Sequence, residues 1–331
     1  MNKVFITGVT GQDGSLLAKK MLDEGWQVFG GYRRGFGKLW RLDTLKITDK
    51  VNLIDYEIGN GQELTHILKK HNFRQIYHLA GFSRTYDSFN HPGTYMNVNT
   101  TGVLEILEAC RLEKLDAKIF IAGSSEIFSD VIEDELLDEN SLMEPLNPYG
   151  VSHVAIRHLV RIYRNFYKLP IIYGILFNHE SFLRDSIFIT KKIGQFFANA
   201  KNNHKVQLEI GNFDAKRDWG VAMEFVHAMH ELMLKEDFDD FVFATGKTHS
   251  VHQLISAFAS ENGIETEFKI IDGVQTCFDS KNGRILIKSS EKYLRGSDNQ
   301  GRAGNSDKLS NKTGIKFTSN INDVVKKINS I

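Results

Sequence analysis

Three short segments carry the side chains and glycines that chemistry would need. Tyr149 and His153 stand four residues apart in Pro148-Tyr149-Gly150-Val151-Ser152-His153, so on a helix they share one face. Ser124, Ser125 and Glu126 close the apolar run Lys118–Ala122, which places two hydroxyls and a carboxylate at the end of a strand. In open α/β sheets, ligands bind outside those carboxyl ends. A phenol, an imidazole, a hydroxyl and a carboxylate are side chains that move protons. The third segment is Thr7-Gly8-Val9-Thr10-Gly11-Gln12-Asp13-Gly14, a G-x-x-G-x-x-G turn. Gly8 permits a tight turn, Gly11 lets the backbone approach a pyrophosphate, and Gly14 lets the following helix pack closely. The helix N-terminus, with Gln12 and Asp13 in its first turn, adds amide donors and a positive dipole. A plain structural loop would use the same glycines; the strand before them and the helix after them favour a dinucleotide.

The elements that must position these groups are legible as alternating periods. Val4–Thr7, Gln27–Gly31, Val51–Asp55, Gln75–Ala80, Lys118–Ala122 and Ile171–Leu176 read as strands. Between them, Ser15–Glu24, Gln62–Lys70, Thr101–Leu112 and Pro148–Tyr167 read as helices. Strands joined by helical crossovers imply an α/β fold, a doubly wound parallel sheet of Rossmann type. The second half is less regular: Ile187–Ala200 and Val221–Leu234 are helical, Val206–Ile210 and Phe241–Ala244 extended. The tail has short strands, a Gly/Ser/Asn-rich stretch over Gly296–Ser306 and a final helix, and reads as a smaller lobe capping the strand ends.

The ends of the second to fourth strands speak to the cofactor. An acidic residue after the second strand would hold a ribose hydroxyl and favour NAD, but the chain has Tyr32-Arg33-Arg34 there. Two cations suit a 2′-phosphate and favour NADP, although a solvated basic turn gives the same pattern. Glu57 after the third strand is the candidate acceptor for the adenine amino group, and Ala80 after the fourth lets the chain pass close to the cofactor.

Bulk properties exclude several classes. The 331 residues carry 41 basic and 41 acidic side chains, so no basic face for nucleic acid is implied. No apolar run is long enough to span a membrane. Cys110 and Cys277 form neither a disulfide framework nor a metal motif, no metal site is expected among the histidines, and the first residues run into a strand with no signal-peptide pattern. A cytoplasmic protein is the expectation.

The chain resembles the extended short-chain dehydrogenase/reductases and, within them, the GDP-mannose 4,6-dehydratases. The resemblance rests on Ile6–Ser15, Tyr32-Arg33-Arg34, Ser124-Ser125-Glu126, Gly174–Ser181, Gly211-Asn212, Arg217-Asp218-Trp219-Gly220 and Ala244-Thr245-Gly246. It implies NADP, a GDP-linked sugar as substrate, and a homodimer or homotetramer. The apolar loop with Phe36 and Trp40 is a candidate oligomer contact. It implies an NADP-binding domain over 1–178, with a returning segment about 212–250, and a nucleotide-sugar lobe over 179–211 and 251–331. By that resemblance Tyr149 is the base for the sugar C4 hydroxyl, Ser124 (threonine in the family) bonds the C4 oxygen, and Glu126 removes the C5 proton. Tyr149 and the residue at 153 also hold the cofactor ribose. Ser83, Asn178, Lys192, Gly211, Arg217, Arg295 and Asp298 are implied for the substrate.

Three places depart from the family pattern. His153 stands where a lysine lowers the tyrosine pKa, Leu183-Arg184-Asp185 replaces an Arg-Arg-Gly-like stretch, and Phe82-Ser83-Arg84 replaces Gln-Ser-His. A GDP-sugar C4 dehydrogenase or 4-keto reductase, or a non-catalytic nucleotide-sugar or NADP-binding relative, are therefore the alternatives to a dehydratase.

Overall fold

The computed structural model describes residues 2–33, 35, 38–129, 135–200, 207–293 and 301–330. The chain starts with β1 (Lys3–Thr7), α1 (Gln12–Asp23), β2 (Gln27–Tyr32), α2 (Trp40–Thr44), β3 (Asn52–Asp55) and α3 (Gly61–His71). It continues through β4 (Gln75–His78), α4 (Thr85–Asn90), α5 (Pro92–Leu112), β5 (Lys118–Ala122) and β6 (Leu136–Leu137) to α6 (Pro148–Asn165). Next come β7 (Ile171–Leu176), β8 (Asn178–Glu180), α7 (Ile189–Ala200), β9 (Leu208–Ile210), β10 (Lys216–Val221), α8 (Ala222–Leu234) and β11 (Asp240–Phe243). The last elements are β12 (Thr248–Ser250), α9 (Val251–Glu261), β13 (Thr266–Ile271), β14 (Val274–Asp279), β15 (Ile285–Ser289), β16 (Ala303–Gly304), α10 (Asp307–Thr313) and α11 (Ile321–Asn329).

Seven strands form the main sheet in the order β11-β7-β5-β4-β1-β2-β3, with every pair parallel. This is the expected doubly wound Rossmann-type sheet. β4, β7 and β11 are buried along their whole length, because helices cover both faces and no strand needs a polar side. One face carries α1 and α8, with Leu16, Leu17, Phe225 and Met229 in its core. The other carries α3, α5 and α6, with Leu64, Ile106, Ile156 and Val160. The strand order reverses between β1 and β4, whose carboxyl ends point to the crevice where such folds take their ligands.

A third core lies in the C-terminal half, where α7, α9 and α11 bury Phe197, Phe258 and Val324 against the β13-β14-β15-β9 sheet. The tail does not stay with that core. Leu309 of α10 and Phe317 join the core under α1 and α8. The long α5 starts at Pro92 rather than at Thr101: proline suits the first helical turn, and Tyr95 and Asn99 add buried positions ahead of the periodic stretch. Val206, expected to open β9, lies outside the described residues. Among the described residues no helix is long and apolar enough to cross a membrane.

One charged cluster anchors the helix that bears Tyr149. Arg157 Nε and Arg164 Nη2 of α6 bond the Asp240 carboxylate of β11 at 2.8 and 2.7 Å, all three side chains being buried. Two forks on one carboxylate fix the rotation of α6 about its axis, and with it the face that Tyr149 and His153 share.

Candidate active site

The glycine turn has the shape of a cradle. Gly8 has φ +69°, and a Cβ there would lie 2.8 Å from the Ala80 nitrogen. A Cβ on Gly14 would lie 2.2 Å from the Gly8 carbonyl oxygen. A side chain at Gly8 would therefore push the turn away from the chain that follows β4, and one at Gly14 would push α1 off the turn. Gly11 caps α1 without a side chain, so the first amides of the helix face the crevice uncapped by a side chain, as an anion requires. These features fit a dinucleotide pyrophosphate.

Gln12 and Asp13 use their side chains elsewhere. Gln12 Nε2 donates to the His179 carbonyl at 3.1 Å, and its Oε1 accepts from Ser181 Oγ at 2.9 Å. Asp13 Oδ2 lies 2.9 Å from His179 Nε2. Burial alone would raise Asp13 and lower His179, yet the charge and hydrogen bond between them win, so Asp13 sits below and His179 above its ordinary pKa. The two residues thus clasp the turn to β8, and their contribution to an anion is the backbone amides. Arg41 strengthens the same junction by donating to the Thr10 and Leu183 carbonyls at 3.0 and 2.8 Å. Leu183-Arg184-Asp185 is thereby tied to the cofactor turn, with Arg184 also ion-paired to Glu180 at 3.0 Å.

At the adenosine end, Arg33 and Glu57 come together, Nη1 to Oε1 at 3.4 Å, with both side chains exposed. Glu57 borders a cavity of about 390 Å³ with Asp55, Tyr56, Gly59, Asn60 and Glu63. Arg34 lies outside the described residues.

The proton-moving groups converge at the carboxyl end of β5. The Ser124 hydroxyl accepts from the Glu126 amide at 3.2 Å and lies near enough to the Tyr149 phenol to lower its pKa. Burial pushes Tyr149 up to about 12; the nearby Ser124 hydroxyl opposes this, the charge of Glu126 adds to it, and Arg184 opposes it from a distance. His153 places its ring 4.5 Å from that of Tyr149, nearly edge-on. Burial drives His153 down to about 3, against the pull of Glu126, so at neutral pH it is an uncharged imidazole. Its Nδ1 is buried and makes no hydrogen bond among the described residues. His78, at the end of β4, is neutral for the same reason, its pKa brought to about 4 by burial, and shares a 2.9 Å hydrogen bond with Thr7 Oγ1.

Two residues that sequence reasoning passed over hold this centre. Asn147 caps α6, its Oδ1 accepting from the Gly150 amide at 2.8 Å, while its Nδ2 donates to Glu126 Oε2 at 2.7 Å. An asparagine before Pro148 is the signature of a helix start, so the cap was available to be read; its second bond was not. Arg302 had no signal at all.

The expected substrate residues are only partly brought together. Lys192 Nζ stands 5.6 Å from the Tyr293 ring centroid, and a Cβ on Gly211 would lie 2.7 Å from the Tyr293 carbonyl oxygen, so those two meet at Tyr293. Asn178 opens β8 opposite Trp219 of β10, two positions from Arg217, whose Nη1 donates to the Lys216 carbonyl. Ser83 is exposed in the loop before α4. Arg295 and Asp298 lie outside the described residues.

A family model described as GDP-mannose 4,6 dehydratase matches residues 5–328. The chain belongs to that family. The GDP-mannose 4,6-dehydratase of Yersinia enterocolitica is 32% identical over 332 residues, covering 95% of this chain and 89% of the relative. Among solved structures, dTDP-glucose 4,6-dehydratase from Bacillus anthracis in complex with NAD superposes with a TM-score of 0.81 at 17% identity, covering 99% of this chain and 96% of that one. RMD from Pseudomonas aeruginosa complexed with NADPH gives 0.77 at 18%, covering 100% and 98%. At such identities the structures speak to the fold, and they share it over the whole chain. Membership of this enzyme family agrees with the resemblance read from Ile6–Ser15 and Gly174–Ser181.

Proposed function

We propose that this chain is a 4,6-dehydratase of a GDP-linked sugar, with NADP as its resident cofactor. The observation that carries the reading is the convergence of Ser124, Glu126 and Tyr149, with Asn147 bonding Glu126 while capping the helix that bears Tyr149. A simple oxidoreductase needs a phenol and a hydroxyl but has no use for a carboxylate locked into the same centre. When bound, the nicotinamide would accept a hydride from C4 of the sugar and return it to C6.

Tyr149 takes the C4 hydroxyl proton, with Ser124 bonding the same oxygen and aligning it. The 4-keto group acidifies C5–H, and Glu126 removes that proton. Glu126 then delivers it to the departing C6 hydroxyl, which leaves as water. Tyr149 supplies the proton that C5 finally needs, so both residues end as they began. Lys192 and Arg217 are proposed to neutralise the diphosphate. Arg33 favours NADP through a 2′-phosphate, and the solved structures with NAD and with NADPH support a nicotinamide of either kind.

The enzyme is proposed to work as a cytoplasmic homo-oligomer. Leu104 and Leu112 of α5, Val151 and Ile162 of α6, and Phe166 just after it, are exposed apolar side chains, and Phe166 is 76% exposed. Trp40 is half-buried against the first core, and Phe36 of the same loop lies outside the described residues. Incubation with GDP-mannose and catalytic NADP+ should give a 4-keto-6-deoxy sugar without net NADPH. Stoichiometric NADPH would mark a C4 dehydrogenase, and cofactor binding with no product from any GDP-sugar would sink the enzymatic reading.

A further inference from the structure

Arg302 comes from the far end of the chain, one residue before β16. Its side chain is almost wholly buried, 4% of the residue being exposed. Nη1 donates to the Ser125 and Phe128 carbonyls at 3.1 and 2.7 Å, which straps the turn carrying Glu126. Nη2 reaches Glu126 Oε2 at 3.4 Å, the same oxygen that accepts from Asn147 at 2.7 Å. The backbone that delivers Arg302 is itself fixed. β16 pairs with β6, the Gly304 amide donates to Asp218, and a Cβ at Gly304 would lie 2.5 Å from that of Ala244.

A guanidinium is always charged and its planar fork fits two carbonyls and a carboxylate at once. Placed beside a half-buried carboxylate, it favours the ionised form and holds its plane. We propose that Arg302 is a positioning residue for the elimination step, keeping Glu126 ionised and aimed at C5. The proposal rests on the reading of Glu126 as the C5 base. In that step the C5–H bond breaks and the proton passes to Glu126. The freed electron pair becomes the C5–C6 double bond as the C6–O bond breaks, and the proton leaves with the hydroxyl as water. The same fixed charge makes protonated Glu126 the stronger acid for that second transfer. Arg302 touches no reacting atom; it acts through Glu126.

Two readouts test this on the full-length protein. Carboxyl resonances of 13C-glutamate-labelled protein, with Glu126 assigned by Glu126→Gln, should show its titration midpoint rising by about one pH unit in Arg302→Met. Arg302→Lys should return most of the difference. In turnover, C5 deuterium uptake from D2O should fall roughly tenfold to a hundredfold in Arg302→Met, while the 340 nm rise on mixing with NADP+ and GDP-mannose keeps its rate. Should Arg302→Met fail to fold, Arg302→Gln, which retains a donor for the carbonyls without the charge, takes its place with the same expectations. An unmoved midpoint in a folded variant overturns the proposal, as does equal loss of the two rates. If wild-type protein makes no dehydrated product, the reading of the reaction falls and takes this proposal with it; an active wild type with an unmoved midpoint condemns Arg302 alone.

Discussion

Replacing His153 by lysine asks whether the missing ammonium limits the enzyme. Tyr149 is pushed up to about 12, so at pH 7.5 only roughly three in 100,000 phenols are ionised. His153 offers no charge to help, since burial holds it near 3. The two rings are 4.5 Å apart. A cation about that far from the phenolate, at an effective dielectric constant near 20, is worth roughly 3–4 kcal/mol, or two to three pKa units. The phenolate population would rise about 100- to 1,000-fold, and a weaker base surrenders roughly half of that on the logarithmic scale, leaving a gain of about 10- to 30-fold. Under single-turnover conditions, C4 oxidation followed at 340 nm from pH 6 to 9 should climb steadily in the wild type. The His153→Lys variant should start higher and level off near about pH 9. Identical rates and identical profiles would refute the reasoning: the phenol would then owe its activation to something other than the residue at 153.

Other outcomes follow from contacts already described. Glu57→Gln removes the carboxylate beside Arg33, so the preference for NADP over NAD in kcat/KM should rise about threefold to fivefold, and Arg33→Ala should abolish it; an unchanged ratio in both would remove Arg33 from the phosphate site. Asp240→Asn leaves Arg157 and Arg164 buried around a neutral amide and should cost about 3–5 kcal/mol in urea unfolding; a loss below about 1 kcal/mol would show that α6 is anchored by apolar packing instead. The raised pKa of His179 gives stability that is whole below about pH 6.5 and lost as the pH rises through the folded value. The lowered pKa of Asp13 gives stability present above about pH 4 and lost as the pH falls through its folded value. His179→Gln should therefore flatten the thermal-unfolding midpoint above neutrality, and a wild-type profile with the same slope as the variant would contradict the ion pair.

Local rules were enough for much of the molecule. Alternating periods from Val4 to Leu176 carried the sheet, because a strand buried on both faces and a helix buried on one leave different apolar spacings. Gly8, Gly11 and Gly14 announced the cradle, since only glycine permits that turn to lie against Ala80. Tyr149 and His153 could be placed on one face from their spacing alone. The cap by Asn147 belongs with these, being a contact with residues three positions away.

Tertiary structure decided what those residues experience and what touches them. No local pattern says that His153 is buried deeply enough to stay uncharged, or that Tyr149 is driven up to about 12, because desolvation depends on every element packed around the site. Nor could spacing show that Asp13 and Gln12 spend their side chains on His179 and Ser181, more than 160 residues away. Arg302 is the clearest case. It is an ordinary arginine in a glycine- and serine-rich tail, and only the pairing of β16 with β6 carries it across 176 residues to Glu126. Local sequence determines which conformations and groups are available; long-range packing sets their charge and their partners, because electrostatic and hydrogen-bonding energies depend on distance in space and not along the chain.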